Sequence, residues 1–171
     1  MIPIPRSKRK RALILVDIQQ GFLKKWKGPL LANLTKLFSQ EEYDLYVEVT
    51  FHADKKSLWD MQTSWTFPYE PSVPEVLKLL KDKHVIRVVK ETRSSFKGDR
   101  DLNKILKRHG IREVHIVGID LSDCVFATVQ EAFDLGFFAY VIEECTGDSQ
   151  GERIYKSAIA ILRSLGLTNH S

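Results

Sequence analysis

The stretch "VGIDLSDCVFATVQEAFDLG", Val117 to Gly136, changes periodicity partway along, and the fold follows from where that change falls. The residues leading into it, "EVHIVG" (Glu113 to Gly118), form a near-continuous apolar run of strand length. Those from Cys124 onward, "CVFATVQEAFDLG", repeat apolar side chains at helical spacing and close on Gly136. Cys124 therefore stands where a strand hands over to a helix. A cysteine there is either a small apolar packing residue or a nucleophile held at a helix N-terminus.

Working outward, the same alternation recurs. "ALILVD" (Ala12 to Asp17) reads as a strand buried on both faces, "YDLYVEVTF" (Tyr43 to Phe51) as a second, "HVIRVVK" (His84 to Lys90) as a third, and "FFAYVIE" (Phe137 to Glu143) follows the opening stretch. Between them, "PLLANLTKLF" (with Pro29 in a first turn), "VPEVLKLLKD", "DRDLNKILKRHG" and the closing "ERIYKSAIAILRSLG" have helical spacing. The segment from His52 to Ser72 fits neither pattern. It is too long for an ordinary connection and, with two tryptophans, too aromatic for a disordered one, so it reads as a functional loop. Strand–helix alternation predicts one α/β domain over residues 1–171: three layers, a mainly parallel sheet with helices on both faces, and a basic lead-in over residues 1–11.

Composition bounds the function. With 43% hydrophobic and 28% charged residues, the 171-residue chain has the make-up of a soluble domain with a proper core. No apolar run approaches the ~20 residues of a membrane span, and no secretory cleavage pattern follows the basic N-terminus. The net charge of +4 raises nucleic acid as a partner. The basic residues are scattered, however, and the runs "RSKRKR" (Arg6 to Arg11) and "KKWKG" (Lys24 to Gly28) read as solvated segments. Two cysteines make no disulfide scaffold and no CxxC zinc site, which places the chain in a reducing cytoplasm.

Ligands of parallel α/β sheets bind beyond the carboxyl ends of the strands. Asp17 closes the first strand, Lys90 closes the third, and Gly118 closes the fourth, six positions before Cys124. Alone, each has an ordinary explanation: loop solvation, a surface lysine, core packing. Together, at one sheet edge, they make chemical sense. A thiol of pKa ~8.5 needs help to ionise, which a helix N-terminus and an ammonium provide, and a carboxylate takes its proton. No histidine stands at these three strand ends, so if Cys124 is a nucleophile Asp17 is the expected base, and Lys90 offsets the charge.

These segments resemble a known family. "ALILVDIQQGF", "KETRSSF" (Lys90 to Phe96) and "VGIDLSDCVFATVQEAFDLGF" occur in the order of the corresponding motifs of the isochorismatase-like cysteine hydrolases, a superfamily that includes nicotinamidases and N-carbamoylsarcosine amidases. The likeness runs from Ala12 to Leu165. It implies a strand order of about 3-2-1-4-5, a catalytic triad of Asp17, Lys90 and Cys124, and an oxyanion hole from the backbone amides of Asp120 and Cys124, with a cis bond between Ile119 and Asp120. It also implies a homo-oligomer, no cofactor, and a small amide as substrate. Phe22, Trp65 and Phe96 read as pocket walls or as core aromatics, and His52 as a pocket-wall or structural residue.

Two departures matter. Leu121 stands where the family has threonine. Thr50, Leu58 and Pro68 stand where nicotinamidases carry metal ligands, leaving His52 alone, so no metal is expected. Two other functions fit the same residues: a vinyl-ether hydrolase using Asp17 as acid, and an inactive scaffold. Retention of all three triad residues argues against the scaffold.

Overall fold

The computed structural model of the chain describes residues 9–26 and 28–169. Strands β1 (Lys10–Val16), β2 (Leu45–Phe51), β3 (Val85–Lys90), β4 (Ile111–Gly118) and β5 (Phe138–Thr146) form one sheet in the order β3-β2-β1-β4-β5. Every neighbouring pair is parallel. The connections carry helices α1 (Gln20–Leu23), α2 (Leu30–Gln40), α3 (Leu58–Thr63), α4 (Pro74–Leu80), α5 (Leu102–Arg108), α6 (Phe126–Asp134) and α7 (Glu152–Ser164).

Side-chain alternation along the central strand builds two cores. Ala12, Ile14 and Val16 pack against apolar residues of α5, α6 and α7, while Leu13 and Leu15 pack against α2 and α4. Both faces of β1 are buried, which is why its sequence is uniformly apolar rather than alternating.

Several boundaries differ from the sequence reading. The lead-in is not simply solvated where it is described: Lys10 and Arg11 open β1, and Arg9 pairs at 3.0 Å with the buried Glu113 while lying 3.4 Å over the Phe138 ring. A carboxylate buried in β4 needs such a partner. Residues 1–8, and Lys27 of "KKWKG", lie outside the described residues. Pro29 is the N-cap of α2 rather than part of its first turn. The His52–Ser72 segment is not wholly irregular. It contains α3, capped by Ser57, whose side chain accepts from the Asp60 amide, and its ends are bridged by Ala53 and Phe67.

Candidate active site

Asp17 follows directly on β1. Its amide donates to Val49 O at 3.0 Å, and its left-handed backbone (φ 52°) turns the chain off the sheet, leaving the carboxyl fully buried at the strand end. Lys90 ends β3, two strands away. Its side chain passes over β2, 4.9 Å from the Phe51 ring centroid, and reaches Asp17 Oδ2 at 2.6 Å. The ammonium also donates to Thr92 O at 3.0 Å and to Cys124 Sγ at 3.4 Å. All three of its donors are thus committed, so the lysine is held charged and fixed.

Gln19, two residues after Asp17, is buried and ties three segments together. Its side chain accepts from Phe51 N at 2.8 Å and donates to Phe51 O at 3.0 Å and Glu70 O at 2.8 Å.

The cysteine reaches the site by a sharp exit from β4. Gly118 has φ 126°, and a Cβ there would lie 2.0 Å from Val16 O, so only glycine fits. The Ile119–Asp120 bond is cis. Leu121–Val125 then forms a π-helical turn, with Val125 N donating to Asp120 O at 3.1 Å, and α6 starts only at Phe126. Cys124 therefore lies inside a π turn preceding the α-helix, not at its first residue. Periodicity alone cannot separate these, because the apolar residues on either side keep helical spacing. Cys124 O accepts from Thr128 Oγ1 at 2.7 Å, and that hydroxyl receives Ser95 N at 3.0 Å, which joins the lysine loop to the cysteine turn.

Leu121 is buried in the core, and the exit is braced without a hydroxyl at that position. Leu121 N donates to Gly147 O, Gly147 N to Gly118 O, and the Asp120 carboxylate receives both Ser149 N (2.6 Å) and Ser149 Oγ (2.7 Å). The Asp120 amide itself makes no hydrogen bond among the described residues.

Burial pushes the Asp17 carboxyl above the usual aspartate range, against the pull of the Lys90 charge. It pushes the Cys124 thiol well up, reinforced by Asp17 and opposed by Lys90. For Lys90, burial works against the charged form but is outweighed by Asp17 and Cys124, and the net direction is up. Burial thus favours the neutral thiol in the resting site, with the Asp17 carboxyl and the Lys90 amino group paired beside it. The Asp17 carboxyl and the Cys124 thiol interact directly within this buried site, which puts a proton acceptor beside the sulfur. Burial raises Asp120 to about 6.

Cys124 lines an open cleft of about 670 Å³ walled largely by aromatic rings. Phe22 stacks on Phe67 at 4.4 Å and Phe51 on Trp65 at 5.6 Å. Phe22 and Trp65 line this cleft, whereas His52 and Phe96 do not. His52 pairs with Asp54 at 3.3 Å, and Phe96 packs into the core at 6.2 Å from Phe137, carried inward by the 3-10 turn Ser95–Lys97. Residues not singled out from sequence also line it: Trp59, Phe67, Glu70 and Asp123.

The donor set does not fit a transition metal. Leu58 and Met61 are exposed on α3, Pro68 is part of the cleft wall, and no group of three or more His, Cys, Asp or Glu is arranged as ligands among the described residues.

The isochorismatase domain, as defined for known protein families, matches residues 11–169. The chain is 31% identical over 144 residues to the isochorismatase family protein YrdC of Bacillus subtilis, covering 80% of this chain and 73% of that one. It is 35% identical over 72 residues to the ureidoacrylate amidohydrolase RutB of Variovorax paradoxus, a match covering 42% of this chain and only 29% of that enzyme's length. Among solved structures, PnC1 from L. infantum in complex with nicotinate superposes with a TM-score of 0.76 at 22% identity, covering 98% of this chain and 95% of that one. The pyrazinamidase of Pyrococcus horikoshii in complex with zinc gives 0.70 at 23% identity, covering 93% and 97%. With the domain match spanning nearly the whole chain, this protein belongs to the isochorismatase family.

Proposed function

We propose that the protein is a hydrolase of small, non-peptide amides that works through a Cys124 thioester without a metal. The observation that carries this reading is the position of Lys90 Nζ, 2.6 Å from Asp17 and 3.4 Å from Cys124 Sγ, at the base of the aromatic cleft. Asp17 takes the thiol proton as sulfur bonds to the carbonyl carbon. The oxygen of the tetrahedral intermediate is received by the Asp120 and Cys124 amides, each donor worth ~3–4 kcal/mol in comparable sites. Asp17 then hands the proton to the nitrogen, the C–N bond breaks, and the amine leaves. Water, deprotonated by Asp17, attacks the thioester carbon; the acid departs and the thiol regains its proton. Lys90 stays charged throughout and holds the carboxylate in line.

Ureido and carboxamide compounds are the substrates to test first, given the ureidoacrylate amidohydrolase and the nicotinate complex among the similar proteins. The same reading treats residues 1–171 as one domain of a cytoplasmic homo-oligomer. Leu58 and Met61, exposed beside the cleft on α3, supply apolar surface for assembly, and light scattering checks it. No helix among the described residues is long and apolar enough to cross a membrane.

The decisive experiment screens such amides for ammonia release, then repeats the best with Cys124→Ala. We expect a folded, inactive variant, and an acyl adduct on Cys124 by mass spectrometry in the wild type. Full activity in Cys124→Ala would remove the covalent mechanism and favour Asp17 acting alone as an acid.

A further inference from the structure

Arg93 lies three residues beyond Lys90, in the loop that also carries Thr92 and Ser95. Its guanidinium is held on two sides. Nε lies 2.6 Å from Asp123 Oδ1, and the planar group sits 4.4 Å from the Trp59 ring centroid. Trp59 is itself fixed, its indole N–H donating to Glu91 O at 2.6 Å. Arg93 thus joins two walls of the cleft, Trp59 on α3 and Asp123 in the cysteine turn.

Asp123 immediately precedes Cys124 and lines the cleft with it. The charged groups acting on the thiol come from three elements: Asp17 at the end of β1, Lys90 at the end of β3, and Asp123 in the thiol's own turn. Asp120 and Asp148 stand nearby, committed to Ser149 and Ser122. Lys90 is taken up by Asp17, so Asp123 has no counter-charge from the triad, and its negative field opposes ionisation of both Cys124 and Asp17. Arg93 is 59% exposed, and an ion pair so open to water adds little stability. Its geometry has a better explanation in the field at the cleft. A guanidinium can stack and hydrogen-bond at once, which an ammonium cannot match.

We propose that Arg93 is a positioning residue for the nucleophile: clamped between Trp59 and Asp123, it offsets the negative charge of the acid beside Cys124 and so eases loss of the thiol proton. This rests on Cys124 being the nucleophile. The test reads thiol reactivity rather than turnover, so the amidase reading and this one fail separately.

The rate of Cys124 alkylation by iodoacetamide is followed against pH at low salt, with the Cys145 peptide resolved by mass spectrometry. Arg93→Met should move the inflection to higher pH and slow alkylation roughly threefold at about pH 8. Arg93→Lys, which keeps the charge but not the stacked clamp, should fall between wild type and Arg93→Met, and about 0.5 M salt should shrink the difference. In an Asp123→Asn background, Arg93→Met should change the rate by less than about 1.5-fold, because the charge it answers is gone. Asp123→Asn alone should accelerate alkylation, and this arm decides the matter if Arg93→Met does not fold. An unchanged profile in Arg93→Met, an equal slowing in the Asp123→Asn background, or no acceleration in Asp123→Asn would each overturn the proposal. Loss of amide turnover with these charge effects intact would instead overturn the amidase reading alone.

Discussion

Lys90 and Asp17 belong to strands separated by β2, yet their side chains meet at 2.6 Å across the Phe51 ring, fully buried. Two charges so placed hold each other in the ionised state, and neither can lose its partner cheaply. Asp17→Asn strands an ammonium in the interior, and Lys90→Met strands a carboxylate. Each should cost about 3–5 kcal/mol, read from urea denaturation, with the double variant recovering part of the loss. On the proposed mechanism all three are inactive. Because burial raises Asp17 and the mechanism needs it ionised, kcat/KM should fall with acidification at a pH above the ordinary aspartate range.

Asp120 should leave a mark on stability against pH. Its folded value of about 6 lies above the unfolded 3.8, so the native state binds the extra proton between them. Its contribution is fully present below the unfolded value and is lost as pH rises through about 6. Asp120→Asn removes this slope. Relative to wild type, the variant should gain about 2–4 kcal/mol on going from acid to neutral pH. Parallel stability curves for the two proteins would contradict the assignment.

Gln19→Met keeps side-chain length but leaves the Phe51 amide, the Phe51 carbonyl and the Glu70 carbonyl without their partner. A loss of about 2–4 kcal/mol is expected. Limited proteolysis should also cut sooner within residues 52–72, since one of those bonds anchors that segment.

Gly118→Ala tests the β4 exit. With Val16 O only 2.0 Å from the new Cβ and the backbone at φ 126°, the chain cannot keep this path. A loss above about 4 kcal/mol, or failure to fold, should appear in thermal melts. A soluble variant of wild-type stability would show that the exit is more adaptable than its geometry implies.

Asp17, Lys90 and Cys124 were legible in the sequence because each is tied to the end of a strand, and uninterrupted apolar runs mark strand ends well. Residues that meet through the loops were not. Trp59, Phe67 and Glu70 come from a segment whose course is set by contacts with Gln19, Phe22 and Phe51 rather than by local pattern. Which of its two readings Phe96 would take was not legible either, for a related reason. The Ser95–Thr128 hydrogen bond fixes the lysine loop against α6 and sends the ring into the core, and nothing near Phe96 in sequence announces a partner at Thr128. The pairing of Arg93 with Asp123 is equally invisible, since the two lie on different connections.

The reciprocal bonds between Gln19 and Phe51 amount to a rung of sheet ladder made by a side chain. At this point β1 has ended, and its main chain is no longer beside β2 to pair with it. A primary amide presents one donor and one acceptor with nearly the spacing of a peptide group, and Gln19 supplies both to the last residue of β2. The sheet thus extends beyond its own central strand by borrowed chemistry. Freed from that duty, the backbone at Asp17 can bend away early, and the catalytic candidates gain an open floor at the middle of the sheet instead of another turn of strand.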